Sequence, residues 1–520
     1  MRKLTLVLIL LGTILGSAAQ EAKKSSPAPP ANSGPPATTA PAAAPTFKAT
    51  SRLVLLDVVV TDLNGRFVDG LTKADFQILE DKTPQVIASF EAPADHPRNP
   101  ISGGEEPVNI FVLDELNTKF TDMAYAREQL VHYLRKQPAQ LEQPSALMVL
   151  NNKDFKVLQN YTRDRDLLLE ALKKHAPDFP FKQSRWGFGI DRLDRSLLAL
   201  QQIAAATMGI PGRKTLIWVG VGFPVMNLIG VHEDIKTTIE DGVNRAVNRL
   251  LEARVTVYPI DPTIMDSMRK TAAMDSGDPD MGVFANLDND PFDTDVNLAN
   301  FGPATGGRSF HWRNDIDEVI QASAEDGAKY YTMAYVPSDR SDDPKFRTIR
   351  IKMRPGLIAR TRNGYYPVDV PMTKDMVALD IEQAANNTFL YTALPVTVTG
   401  KVTQNAAACT LYINAQAISW QPLPNGDSRA QFRIAMASFS GSNKRLAYDV
   451  KEMASTTPAA SFKTLLQRPV ALRIQTPLPE GVKRLRFVVR DEATGHMGAI
   501  DVDPAHIPTV AEPPKRFSEQ

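Results

Sequence analysis

The apolar run Val108–Leu113 ends abruptly at Asp114, and a short polar turn and a helix pattern follow it. Apolar runs bounded by turn signals are the mark of parallel strands buried on both faces. In open α/β sheets, ligands bind just past the carboxyl ends of such strands, which puts Asp114 at the edge where binding takes place. Residues 107–336 then alternate strand and helix patterns, as a mainly parallel sheet requires. Thr121 or Asp122 is expected to cap a helix running to about Gln137, with Met123, Ala126, Leu130 and Leu134 on one face. Ala146–Leu150, Lys214–Val219 and Val255–Ile260 read as further buried strands, and Tyr330–Val336 as the last strand of this α/β region. Helices are expected over 191–208 and 233–253.

At 520 residues the chain exceeds a single core. Residues 1–19 carry Arg2 and Lys3, an apolar stretch Leu4–Leu15 too short to span a bilayer, and the small residues Ser17-Ala18-Ala19. That is the pattern of an export signal, so the mature protein is expected in the periplasm or outside the cell, without a transmembrane segment. Residues 20–46 form a disordered Pro/Ala-rich linker. Residues 47–93 form a small immunoglobulin-like β domain, with Asn64-Gly65 as a hairpin turn. A Pro/Gly-rich linker over 95–106 leads into the α/β region. Residues 337–368 form a β-hairpin segment that is expected to complete the first β domain, with the α/β domain inserted between them. Residues 375–505 read as a C-terminal β-sandwich, and 506–520 as a tail. Equal numbers of acidic and basic residues, 59 of each, argue against a nucleic-acid partner. Cys409 is the only cysteine, which excludes an internal disulfide, and its place in an alternating strand predicts a small buried apolar role.

Seven stretches occur in an order that carries a resemblance: 56–62 (LDVVVTD), 70–76 (GLTKADF), 112–118 (VLDELNT), 212–219 (GRKTLIWV), 257–261 (VYPID), 305–308 (TGGR) and 362–366 (RNGYY). Over roughly residues 50–368 the chain resembles the exported VWFA-related proteins known from acidobacteria. The resemblance implies a von Willebrand factor A-like doubly wound, mainly parallel sheet flanked by β-sandwich domains. It implies no settled activity; A-type domains elsewhere are mostly adhesion or assembly modules. Many of them bind Mg²⁺ through an Asp-x-Ser-x-Ser turn with a Thr and an Asp from two further loops. Here the turn is Asp114-Glu115-Leu116-Asn117-Thr118, and the third loop offers Gly220-Val221-Gly222. Asp114 and Thr118 are the residues left for a metal, a degenerate set for a cation that wants six oxygens. The favoured reading is structural, with Asp114 and Thr118 tying the loop and capping the next helix.

The loop 275–295 holds seven aspartates but lacks EF-hand spacing, and it reads as a solvated acidic loop. No His-Glu-x-x-His, Gly-x-Ser-x-Gly, phosphate-binding loop or Cys-x-x-Cys is present. His132 and His175 sit on helix patterns where a surface role is expected. The sequence therefore points to an exported, non-catalytic protein-interaction module of adhesion type, with no cofactor and an unidentified protein partner. The alternatives are a Mg²⁺-dependent adhesin using Asp114 and Thr118, and a hydrolase whose site carries no recognisable motif.

Overall fold

The computed structural model describes residues 53–96, 107–177, 187–263, 290–403 and 405–509. The expected signal, the linker over 20–46, Asp275 to Asp288 and the tail from 510 lie outside these residues.

The described residues open with β1 (Val54–Asp62), β2 (Gln77–Glu80), β3 (Thr83–Gln85) and β4 (Ile87–Glu91). In β1, Val54, Leu56, Val58 and Val60 are all buried, the period of two that a one-sided core demands. Next come β5 (Val108–Asp114), α1 (Phe120–Lys136), β6 (Gln140–Leu150), β7 (Phe155–Asp164), α2 (Arg165–Lys174), α3 (Gly187–Thr207) and β8 (Lys214–Val219). They are followed by β9 (Met226–Asn227), α4 (Glu233–Glu252), β10 (Val255–Ile260), β11 (Asp295–Val296), α5 (Phe301–Thr305) and α6 (Ile316–Ala328). The five-stranded sheet has the order β10-β8-β5-β6-β7 and is parallel except for β7.

Both faces of this sheet are covered, and its strand sequences show why. Ile110 and Val112 of β5, with Leu216 and Trp218 of β8, join the core under α3 and α4. Phe111 and Leu113, with Ile217 and Val219, join the core under α1, α2 and α6. Alternate residues thus face opposite helix layers, so a strand of this kind has no polar face.

Strands β12 (Tyr331–Tyr335), β13 (Arg347–Lys352), β14 (Leu357–Arg360) and β15 (Gly364–Tyr365) return to the first strands. They build the sheets β14-β1-β12-β4 and β15-β13-β2-β3, which share one core. The segment 331–335, expected within the α/β region, is corrected here. It pairs antiparallel with β1 and β4 and has no partner in the parallel sheet. Tyr331 and Tyr335 direct their hydroxyls to the Val68 carbonyl and the Glu80 carboxylate, so the strand is fixed on the sandwich side.

Helix α7 (Lys374–Asn386) precedes β16 (Val396–Val402), β17 (Ala406–Asn414), β18 (Gln421–Pro422), β19 (Ser428–Ser440), β20 (Arg445–Thr457), β21 (Pro469–Pro477), β22 (Val482–Asp491) and β23 (Met497–Val502). These strands form two sheets around one core that includes buried Cys409. Burial pushes the Cys409 thiol up to about 11. The span 375–505, expected to be all β, therefore begins with a helix. Ile381, Ala384 and Ala385 of α7 belong to the same core as Leu197 and Leu200 of α3 and Ala435 and Val488 of the C-terminal sheet. Small residues let the helix seat between the two layers. The buried Arg486 guanidinium fixes it there by donating to the Ala384 and Phe389 carbonyls and to Asp501. Among the described residues, no helix is long and apolar enough to cross a membrane.

Candidate functional site

Asp114 ends β5 at the carboxyl edge of the parallel sheet and is fully buried. Its Oδ1 accepts from the Asn117 backbone N–H at 3.0 Å and from Asn117 Nδ2 at 3.1 Å. Its Oδ2 accepts from Trp218 Nε1 at 3.1 Å and from Asn117 Nδ2 at 3.0 Å. Burial raises the Asp114 carboxyl above its ordinary value, while the bonds from Asn117 and Trp218 act in the opposite direction. Asn117 Nδ2 also donates to Ser196 Oγ on α3 at 3.1 Å, so the turn is tied to the neighbouring helix.

Thr118 is also fully buried, and its Oγ1 accepts from the Val221 N–H at 3.0 Å. This bond links the turn after β5 to the loop after β8. Between them lies Gly220, where a Cβ would stand 2.5 Å from Asp114 Cβ and 2.7 Å from Thr118 Oγ1. Only glycine allows that approach. The structure therefore brings Asp114 and Thr118 together across Gly220. The helix cap expected of them, or of Thr121 or Asp122, is corrected: α1 starts at Phe120, with Lys119 at the cap position and no side-chain cap bond. Asp114 and Thr118 are instead bonded at the sheet edge, and Thr121 and Asp122 lie inside the first turn of the helix.

The residues do not fit the Mg²⁺ that the resemblance implies. Mg²⁺ needs near-octahedral oxygen ligands. Both Asp114 oxygens are engaged by N–H donors, Thr118 Oγ1 accepts a backbone N–H, Leu116 is a buried apolar side chain, and Gly220 brings no ligand. Among the described residues, no group of three or more His, Cys, Asp or Glu side chains is arranged to hold a metal ion.

Beside this turn lies a cleft of about 540 Å³. Val221, Val225, Asp261, Asp290, Asp293 and Asp295 are among the residues that line it, and no Lys or Arg is among its described lining residues. The loop after β8 is held in place because β9 pairs with β11, Asn227 with Asp295 and Met226 with Val296. It nevertheless leaves Val225 64% and Ile229 76% exposed. The acidic wall is equally fixed. Asp290 accepts from the Phe292 N–H at 2.9 Å and the Tyr366 hydroxyl at 3.0 Å, and Asp295 accepts from Asn297 Nδ2 at 3.1 Å. Burial raises the Asp290 carboxyl.

Sequence reasoning missed one pairing at this edge. His175, expected at the surface, has its side chain buried, with Nε2 2.7 Å from Glu115 Oε1. Glu115 lies next to Asp114, and the end of α2 turns beneath it. The partners are 60 residues apart, so no local spacing signals the contact. His132 is 56% exposed beside Asp317, as expected of a surface histidine.

No family model matches this sequence, and no curated protein matches it. Similar solved structures include the SpRpn10 VWA domain, 20% identical over 33% of this chain and 82% of that one, with a TM-score of 0.18. They also include the pilus adhesin SpaC from Lactobacillus rhamnosus GG, 8% identical over 80% of this chain, with a TM-score of 0.24. The present chain spans 59% of that adhesin. At these scores neither likeness carries an argument, and the mixed α/β architecture rests on the strand order and pairing described above.

Proposed function

We propose that this chain is an exported, non-catalytic interaction module whose A-type α/β domain captures a protein partner at the carboxyl edge of its sheet, without a metal ion. The observation that carries the reading is the pairing of two surfaces there. An immobilised loop exposes Val225 and Ile229, and beside it lies a cleft walled by Asp261, Asp290, Asp293 and Asp295. Exposed large apolar side chains on a fixed loop favour association, and a wall of one charge sign selects a partner of the other. The fitting partner is a protein segment that places a cationic side chain among apolar ones. The β-rich parts, residues 53–93 with 331–368 and the C-terminal region, act as the support that holds this edge outward.

The test is capture of proteins from the exported fraction of the source cell by wild type and by Val225→Ser/Ile229→Ser. A band bound by wild type and then identified should also bind as a purified protein. Binding should fall at least tenfold in the double variant and weaken as ionic strength rises. Equal binding by both proteins overturns the reading.

A further inference from the structure

The acidic cleft adjoins a second one, of about 940 Å³, and Asp290 and Asp293 line both. The second cleft lies between α4 and the first sandwich. Glu240 and Val243 of α4 line it, with Asp81 and Lys82 from the turn between β2 and β3 and Thr348 from β13.

Negative charge gathers where the two clefts meet. Burial raises the Asp290 carboxyl, and the charges of Asp293 and Glu240 raise it further, against the bonds from Phe292 and Tyr366. Carboxylates this close disfavour one another's charged form, and a nearby cation restores it. Among the described residues, Asp261, Asp290, Asp293 and Asp295 form no ion pair. Glu240 has an exposed one, with Lys236 at 3.6 Å, and such pairs contribute little. Lys82 and Lys345 are the basic residues among the described lining of the second cleft, and Lys345 lies 4.0 Å from Asp343.

A hydrogen-bond donor is missing as well. Asn363 is 5% exposed and lines the first cleft, and its Oδ1 has no partner. Buried polar groups seldom go unpaired in native proteins. A guanidinium supplies a positive charge and five N–H donors together. A single metal ion does not suit these carboxylates, because no three of them are arranged to hold one. Spread over two clefts, they suit cations spaced along a chain. Phe346 and Tyr366, packed edge-on at 5.1 Å, also line the second cleft, and aromatic rings beside a cation add to its binding.

We propose that the two clefts form one groove for an extended basic segment of the partner, with an arginine among Asp261, Asp293 and the Asn363 carboxamide and a second cation at Glu240. The proposal gives the partner class for capture at the sheet edge and rests on that reading.

The experiment is fluorescence anisotropy of the full chain with short labelled peptides of serine and valine that carry two arginines at varied spacing, one arginine, or none. At one spacing the two-arginine peptide is expected to bind at least tenfold tighter than the one-arginine peptide, and to weaken as salt rises. Glu240→Gln should bring it to the one-arginine level and leave the one-arginine peptide unchanged, whereas Asp261→Asn should weaken both. An unchanged melting temperature shows that the variants fold. Two-arginine peptides that bind no tighter than one-arginine peptides at every spacing overturn the proposal. So does spermine binding where no peptide binds, which assigns the groove to free polyamines. Capture of the purified partner that depends on Val225 and Ile229 but is unaltered by Glu240→Gln and Asp261→Asn overturns the groove and leaves capture at the edge standing; capture that none of these substitutions alters removes both.

Discussion

Trp218→Phe isolates the bond that distinguishes a hydrogen-bonded Asp114 from a metal ligand. The substitution removes the indole N–H that donates to Asp114 Oδ2 at 3.1 Å, between two side chains with no solvent exposure. A hydrogen bond to a charged group contributes about 1.5–3 kcal/mol. The smaller ring leaves about 40 Å³ unfilled, which at ~24 cal/mol per Å³ adds about 1 kcal/mol. The expected loss is therefore roughly 2.5–4 kcal/mol, read as a shift of the urea midpoint at constant m-value. The loss should also depend on pH. Burial already raises the Asp114 carboxyl, and losing the indole donor raises it further. A raised acid contributes stability that is present below the unfolded pKa and lost as pH rises through the folded one. The deficit of the variant should therefore be largest near neutral pH and shrink toward the ordinary carboxylate range. A loss below about 0.5 kcal/mol with no pH dependence would refute the reasoning, because such a small effect is typical of surface substitutions.

Other perturbations follow from the same contacts. Gly220→Ala would push a methyl group to 2.5 Å from Asp114 Cβ and 2.7 Å from Thr118 Oγ1. It should cost about 1–3 kcal/mol as an overpacked site and lower the melting temperature; an unchanged melt counts against the packing described. Asp57 bonds Arg254 at 2.8 Å where the sandwich meets the end of α4. Burial alone would raise its carboxyl, but the Arg254 and Arg213 charges and the Thr332 hydroxyl bring it below the usual range. Its stabilisation is thus present above the unfolded pKa and lost as pH falls through the folded one. Asp57→Asn should cost about 3–5 kcal/mol at neutral pH and flatten the acid limb of a pH–stability curve; parallel curves for the two proteins would contradict this.

The parts of the fold legible in the sequence are those set by local pattern. Ile110 to Leu113 had to face two helix layers, so the strand could be read without knowing either layer. Met123, Ala126, Leu130 and Leu134 are buried on α1 as their spacing requires. What spacing could not show is the choice among distant partners. The alternation in 331–335 marks a strand, but its pairing with β1 joins residues about 275 positions apart, as Thr332 and Asp57 show. Helix α7 did carry a signal: Thr373 caps it by accepting from the Met376 N–H, and Val377, Ile381, Ala384 and Ala385 recur at helical spacing. At the sheet edge, the position of Asp114 followed from strand logic. The donors that surround it come from the loop amide of Asn117 and from Trp218, 104 residues away, so its chemistry had to wait for the tertiary structure.

The most direct test of the central claim, that hydrogen-bond donors and not a metal ion hold the turn at the carboxyl edge of the sheet, is a thermal melt of the full chain in EDTA and then in excess Mg²⁺ or Mn²⁺. Binding at a hundredfold excess over the dissociation constant would add about 2.7 kcal/mol of stability. The account predicts superimposable melts, with partner capture unchanged by EDTA. A rise in melting temperature with Mg²⁺ or Mn²⁺ that disappears in Asp114→Ala would contradict it and return Asp114 and Thr118 to the role of metal ligands.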